Sequence, residues 1–247
     1  FILETSVFKL TIPYRSNDDN LKLLWERVRN MDDTILELIA RQEYSITLDA
    51  SIFDNAEDDE VILCLNYDGL YGINNINRFL QESNPNDAVQ WGIQQYKIGD
   101  PILFNESDRF APVIYNNMKG KIVGIEVVNP DDVAGYIQFD IELNKVINGM
   151  DALMQDFDLL ENSQCGNSVI RFKVYKTRST DEDDEGSSRA VVPFQVAYAL
   201  SIHKAQGLEF RSVKIVITDE VDELITHNIF YTAITRAQSK LRIYWTP

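Results

Sequence analysis

The sequence contains little cysteine and histidine and no long apolar segment. Its two cysteines, Cys64 and Cys165, lack the spacing of metal ligands, and two histidines are too few for a His-rich metal site or a His-based triad. No run of eighteen apolar residues occurs, so no membrane span is expected, and the first residues lack the basic-then-apolar order of a signal peptide. These absences indicate a protein of the reducing cytoplasm.

Positive charge is also scarce. The chain has 23 lysines and arginines against 39 aspartates and glutamates, a formal net charge of −16. A self-sufficient nucleic-acid binder is usually basic on at least one face. We therefore expect few, focused nucleic-acid contacts here at most, and a protein-binding module with no catalytic role remains an alternative.

A phosphate-binding loop of the form Gly-x-x-x-x-Gly-Lys-Ser/Thr is missing from all 247 residues. This loop cradles the phosphates in many ATPases, where an acidic pair elsewhere holds magnesium. Its absence predicts that the chain alone does not hydrolyse ATP.

Two dense blocks near the C-terminus carry most of the information. Residues 198–210 read Tyr-Ala-Leu-Ser-Ile-His-Lys-Ala-Gln-Gly-Leu-Glu-Phe, and residues 230–237 read Phe-Tyr-Thr-Ala-Ile-Thr-Arg-Ala. At this spacing they resemble the last two nucleotide-linked motifs of superfamily 1 helicases of the UvrD/RecD type. Earlier in the chain, Tyr14-Arg15-Ser16 ahead of a helix with a central Trp25 is similar to the fourth motif of the same helicases.

The resemblance implies roles for particular residues. Arg236 and Arg15 would be catalytic contacts to ATP phosphates, with Arg236 as the arginine finger. Tyr14 would stack on adenine, and Gly207 and Glu209 would lie near the γ-phosphate and the ribose. The remaining two positions, Ser201 and His203, match residues that bind the phosphates of single-stranded DNA. ATP and magnesium are the implied cofactors, with the magnesium ligands in a preceding RecA-like lobe.

The placement of Arg236 can also be predicted from periodicity. One buried helical stripe is formed at i, i+3, i+4, i+7 spacing by Phe230, Ala233, Ile234, Ala237 and Leu241. Arg236 lies roughly 120° from the centre of that stripe, which predicts a side chain on the flank of the helix, outside the core. A solvated or i−4-paired arginine is the simpler alternative to a finger.

Both ends of the chain read as strand, helix, strand. Strands are predicted at 8–12, 61–65, 213–217 and 241–245, and amphipathic helices after Ser16, with Asp19 completing a capping box, and at 72–81. In the second helix, Asn77 matches an asparagine of RecD-like proteins and is interpreted either as a packing amide or as a DNA contact. The fold class is α/β, with a parallel sheet and flanking helices.

The middle of the chain is rich in short strands. Strands are predicted at 97–104, 113–115, 119–125, 136–141 and 168–174, with Asn116-Asn117 as a tight turn. Their order resembles the SH3-like barrel that RecD-type helicases insert in the second lobe. We thus predict a RecA-like lobe at 1–93 and 190–247, interrupted by this insert at 94–189. The acidic run 181–188 is interpreted as a solvated loop.

The resemblance implies the C-terminal part of an ATP-dependent DNA helicase or translocase with a role in DNA repair. Its partners would be single-stranded DNA and the N-terminal RecA-like lobe of the same protein, with no membrane. An RNA-directed helicase of the same superfamily is a further alternative, because the motifs barely separate DNA from RNA.

Overall fold

The computed structural model of the chain describes residues 14–54, 59–105, 108–132, 134–160, 166–176, 189–220 and 225–246. The predicted strand at 8–12, Cys165 and the acidic run 181–188 lie outside these residues. The chain forms two compact units: residues 1–66 with 201–247, and residues 67–200. These limits differ from the predicted ones, because the segment from 67 to 93 and the segment from 190 to 200 fall in the second unit.

The described helices and strands follow one another in this order. The helices are α1 (Asp19–Arg29), α2 (Ile35–Arg41), α3 (Ile73–Ser83), α4 (Gly149–Ala152) and α5 (His227–Ile234). The strands are β1 (Ser45–Thr47), β2 (Glu60–Cys64), β3 (Ala88–Trp91), β4 (Gln94–Lys97), β5 (Pro101–Phe104), β6 (Lys119–Val128), β7 (Tyr136–Leu143), β8 (Asp158–Leu159), β9 (Val169–Tyr175), β10 (Phe194–Val196), β11 (Ala199–Ser201), β12 (Phe210–Ile217) and β13 (Ala237–Trp245). Short 3-10 helices lie at Ala50–Phe53 and Asp108–Phe110.

The first unit is built on a parallel sheet. Within this unit the strands have the order β1-β13-β12-β2, and β13 pairs in parallel with β1 and with β12, which pairs in parallel with β2. The strands predicted at 61–65, 213–217 and 241–245 correspond to β2, β12 and β13, with β2 ending one residue earlier, at Cys64. The prediction of a mixed α/β fold with a parallel sheet is therefore confirmed.

Helix α1 buries the predicted stripe, but it begins differently. All four stripe residues (Leu21, Leu24, Trp25, Val28) are buried. The cap is Asp18, whose carboxylate accepts from the backbone N–H groups of the first turn, so the predicted capping box at Ser16 is wrong. Ser16 instead donates its hydroxyl proton to the carbonyl of Gln238. The helix is thereby joined to the start of β13.

A buried ion pair lies inside the first unit. Lys214, on β12, is 1% exposed, and its Nζ donates to Glu60 Oε1 at 2.8 Å. The same amine donates to the carbonyls of Ile52 and Asp54. All three donors of the ammonium are thus engaged, as a buried cation requires.

The second unit contains an antiparallel sheet of six strands in the order β10-β5-β6-β7-β9-β8, and the two-stranded sheet β3-β4. Alternate residues of β7 are buried, as expected for a sheet with one face on a core. That core is rich in aromatic rings packed edge to face, including Tyr96 on Phe139 and Phe139 on Phe194. The SH3-like assignment of this unit stays a prediction.

The predicted hairpin around Asn116-Asn117 is wrong. Residues 113–115 are not a strand, and β6 pairs with β5 and β7 instead. Asn117 does adopt the expected left-handed conformation, with φ of 68°. The predicted turn conformation at Asn117 is therefore confirmed, and the predicted strand at 113–115 is wrong.

Asp100, in the turn before β5, is the polar centre of the second unit. It is fully buried, and its carboxylate accepts from Gln81 Nε2 at 2.6 Å and from the backbone N–H of Lys97 at 2.9 Å. The other oxygen accepts from Asn84 Nδ2 and from the Tyr198 hydroxyl, both at 2.9 Å. Four donors therefore stabilise one buried charge and join α3 to the segment that enters β11.

Helices long and apolar enough to cross a bilayer do not occur in the part of the chain that the structure describes.

Candidate functional site

Two of the predicted site residues meet directly in the first unit. Arg15 donates from Nε to Glu209 Oε1 at 2.6 Å and from Nη1 to the carbonyl of Thr235 at 3.1 Å. Arg15 and Glu209 are both about one third exposed, with side-chain accessibilities of 33% and 38%. The arginine predicted to contact phosphate and the glutamate predicted to lie near the nucleotide therefore form one partly exposed ion pair.

Gln238 completes the surroundings of Glu209. Its Nε2 donates to Glu209 Oε2 at 3.0 Å, so that the two carboxylate oxygens accept from different side chains. Gln238 is not among the residues that the motifs predict for the site. Its position one residue after the motif block 230–237 is the only sequence signal that points to it.

Arg236 lies beside this pair, but in a different setting from the predicted one. Helix α5 ends at Ile234, Thr235 caps it, and β13 begins at Ala237. The helix does not continue to Leu241, so the predicted stripe is wrong beyond Ile234. Arg236 is only 6% exposed, which contradicts the prediction of a side chain on the flank outside the core.

The guanidinium of Arg236 is held by three hydrogen bonds. Nε donates to the carbonyl of Thr232 at 2.9 Å, Nη1 to that of Leu208 at 2.9 Å, and Nη2 to the hydroxyl of Thr235 at 3.0 Å. These partners come from the end of α5 and from the loop before β12. Arg236 therefore ties the two motif segments together.

The charges in this cluster shift one another. Burial, followed by the positive charge of Arg15, lowers the pKa of Arg236 to about 10, so the side chain stays protonated at neutral pH. Burial raises the pKa of Glu209, but the hydrogen bonds from Arg15 and Gln238 and the charges of Arg15 and Arg236 outweigh it, and the net pKa is lowered. The cluster is thus two cations around one carboxylate at pH 7.

The motif segments that carry Arg15 and Glu209 also contain Tyr14 and Gly207. Gly207 has φ of +87°, a backbone conformation that residues other than glycine rarely adopt. A Cβ at this position would meet no atom within 4 Å. The glycine is therefore needed for the turn before Glu209, not for close packing. Tyr14 is 88% exposed, so its ring is accessible to solvent.

The two residues predicted to bind nucleic acid differ in exposure. Ser201 is buried at the end of β11, and its Oγ accepts from the backbone N–H of Lys204 at 3.1 Å. His203 is exposed in the turn that follows. In this state the hydroxyl of Ser201 stabilises the turn, and His203 is the more accessible of the two.

Asn77 has a clear structural role. Its Nδ2 donates to the carbonyl of Ala199 at 3.0 Å, and its Oδ1 accepts from the N–H of Ala199 at 2.8 Å. The amide satisfies both backbone groups of one residue of β11 within the second unit. This geometry favours the packing interpretation of Asn77.

Metal-binding geometry is not found within the described ranges, where no group of three or more His, Cys, Asp or Glu side chains is placed to hold an ion.

The fold and these motif segments indicate one class of protein. Residues 196–244 match the UvrD-like helicase C-terminal domain, and this range contains Ser201, His203, Gly207, Glu209 and Arg236. The resemblance to the C-terminal part of a superfamily 1 helicase, predicted from the motifs, is confirmed.

Particular relatives can be named. The chain is 25% identical over 188 residues to the RecBCD enzyme subunit RecD of Buchnera aphidicola subsp. Acyrthosiphon pisum, covering 74% of this chain and 24% of that protein. It is 24% identical over 188 residues to RecD of Mycolicibacterium smegmatis, covering 75% of this chain and 25% of that protein. The chain thus spans about a quarter of the length of these curated relatives.

Among solved structures, the fold is similar to that of Pif1 helicase from Candida albicans. The TM-score is 0.55 at 16% identity, with 94% of this chain and 55% of that chain covered. Bacteroides Pif1, solved bound to single-stranded DNA, gives a TM-score of 0.50 at 14% identity, with 95% and 51% covered. At these identities the likeness concerns the fold alone.

Proposed function

We propose that the chain is the C-terminal part of an ATP-dependent DNA helicase or translocase, in which it completes the ATP site and grips single-stranded DNA. The observation that carries this proposal is the cluster of Arg15, Glu209 and Arg236. These three residues come from three separate segments that resemble helicase motifs, and they meet in one place.

The cluster suits an ATP phosphate. A guanidinium has five N–H donors, and the described hydrogen bonds of Arg236 use three of them. One N–H on each terminal nitrogen is then left for a phosphate oxygen, which is the arrangement of a bidentate contact. Arg15 is partly exposed and would approach the same phosphates, while the exposed ring of Tyr14 would stack on the base.

The turn after β11 would bind the single-stranded DNA. His203 is exposed there and can donate to a phosphate oxygen. The hydroxyl of Ser201 accepts from the N–H of Lys204, and its own proton would be the donor to a phosphate oxygen. Backbone-directed contacts give affinity without sequence preference, as a translocase requires. The net charge of −16 means that the rest of the positive track belongs to other parts of the protein.

Catalysis requires a partner lobe. A preceding RecA-like lobe of the same protein would supply the phosphate-binding loop and the magnesium ligands, and closure of the cleft would couple hydrolysis to stepping. The second unit, as an SH3-like insert, would guide the strand. We place such a protein in the cytoplasm.

The experiment is a comparison of this chain with the longer protein that we propose contains it. The chain alone should show no ATP turnover above a blank, whereas the longer protein should hydrolyse ATP faster with single-stranded DNA present. Turnover by the chain alone, or a longer protein that is inactive with DNA, would contradict the proposal. Stimulation by single-stranded RNA but not DNA would instead identify an RNA-directed helicase.

The acidity favours one second candidate, a helicase-derived module that binds a protein partner. A net charge of −16 disfavours association with nucleic acid and favours association with basic proteins. This candidate predicts a longer protein that does not hydrolyse ATP with any nucleic acid. Its signature would be a complex with a basic partner that dissociates as salt is raised.

A further inference from the structure

Gln238, the second residue of β13, contacts Ser16 and the carboxylate that pairs with Arg15. Its side chain bonds Glu209, the partner of Arg15, and its backbone carbonyl accepts the hydroxyl proton of Ser16. Gln238 thus contacts Ser16 directly and Arg15 through one intermediate. A single residue of β13 thereby supports two consecutive residues near the start of the chain.

The bond to Glu209 fixes the plane of a carboxylate. A carboxylate can rotate about its last side-chain bond, since terminal sp³–sp² torsions are broad. The bond from Gln238 to Oε2, together with the bond from Arg15 to Oε1, restrains that rotation in Glu209. Because guanidinium recognition is planar and directional, the orientation of Arg15 depends on the plane of Glu209.

The chemistry of glutamine matters here. An amide donates a hydrogen bond without adding a charge. A lysine or arginine at 238 would compete with Arg15 for Glu209, and a glutamate would repel it. Glutamine bonds Glu209 without neutralising the negative charge that pairs with Arg15.

We propose that Gln238 is a positioning residue for Arg15, acting through Glu209. The inference rests on the proposed function, in which Arg15 contacts an ATP phosphate. Gln238 itself would touch neither nucleotide nor DNA. Misplacing Arg15 would cost turnover more than nucleotide affinity, because contacts that strengthen in the transition state depend most on orientation.

The test uses Gln238→Ala, which removes Nε2 and keeps the backbone bond to Ser16. In the longer protein we expect kcat to fall about tenfold or more, with a smaller change in KM for ATP. In the Arg15→Ala background, Gln238→Ala should cause no further loss, because the two changes act on one interaction. The matched control is Ser239→Ala, the exposed neighbour on β13 whose hydroxyl bonds the carbonyl of Arg211.

A second measurement needs no activity. In this chain, the NMR signal of the Arg15 Nε–H should shift and exchange faster with solvent in Gln238→Ala, and stay unchanged in Ser239→Ala. An unchanged signal would overturn the inference, as would additive losses of kcat in the double variant. If Arg15→Ala leaves turnover intact while the signal still responds to Gln238→Ala, the assigned role of Arg15 in the proposed function has failed and the positioning contact stands.

Discussion

Arg15 and Glu209 are 194 positions apart in the chain, and their side chains meet with an Nε–Oε1 distance of 2.6 Å. The pair joins the segment before α1 to the loop before β12. Glu209 directly precedes β12. Loss of its charge would therefore weaken the contact between the segment before α1 and the loop before β12. The first prediction concerns its charge.

Stability should depend on pH through Glu209. The folded-state pKa of this group is lowered from its ordinary value of 4.5, so its stabilising effect is present above about pH 4.5 and is lost as the pH falls through the lower folded-state value. Glu209→Gln should therefore unfold more easily than the native chain at pH 7 and equally easily at strongly acid pH. Since the pair is partly exposed, we expect a difference of roughly 0.2–1 kcal/mol in denaturant titrations. A difference that grows towards acid pH would show that the carboxylate is not stabilised as described.

Arg236→Ala should affect both stability and turnover. The side chain is buried and makes three hydrogen bonds, so its loss leaves the carbonyls of Thr232 and Leu208 without this donor. We expect roughly 1–3 kcal/mol less unfolding free energy. ATP turnover by the longer protein should fall about 10³-fold or more, the effect of removing an arginine finger.

The control for Arg236→Ala is Arg242→Ala, an exposed arginine on β13, the strand that begins directly after Arg236. It should leave both stability and turnover nearly unchanged. Loss of stability with normal turnover per folded molecule in Arg236→Ala would show that Arg236 serves only to join the two motif segments.

Gly207→Ala should destabilise through the backbone alone. The residue has φ of +87°, and its Cβ would meet no atom within 4 Å, so no clash contributes. We expect a loss of about 1–2 kcal/mol in thermal or chemical unfolding. Gly149→Ala is the matched control, because Gly149 has equally open surroundings without a positive φ and begins α4. Equal effects at the two glycines would contradict the conformational argument.

Asp100→Asn should destabilise the second unit although it changes the side-chain volume very little. Each carboxylate oxygen accepts from two donors, and an amide nitrogen in place of either oxygen would face donors with a donor. The cost should be roughly 1–3 kcal/mol or more, measured by hydrogen exchange of β4 and β5. Asp87→Asn, at an exposed position, should leave that exchange unaltered.

Periodicity predicted what depends on neighbours along the chain. The buried face of α1 and the strand at 61–65 follow from apolar spacing, and both are present. The cap of α1 was misassigned because Ser16 and Asp18 are both good caps, and Ser16 is used by Gln238 instead. The choice between them is made by a residue more than two hundred positions away.

The site was predictable as a set of motif residues, but its geometry was not. Periodicity predicts a helix that continues through Arg236, whereas α5 ends at Ile234 and the hydroxyl of Thr235 bonds back to the carbonyls of Tyr231 and Thr232. Threonine hydroxyls compete with the backbone in this way near helix ends. Once the helix stops, Arg236 turns to the carbonyl of Leu208, a contact that no local pattern contains.

Because the amine of Lys214 is buried, the rate at which it is chemically labelled would report how often the first unit opens. An acylating reagent needs a free, accessible amine, and the folded chain offers this one only when β12 separates from its neighbours. Lys121, exposed on β6, should be labelled much sooner. The ratio of the two labelling rates, read by mass spectrometry, would therefore report how often the parallel sheet comes apart.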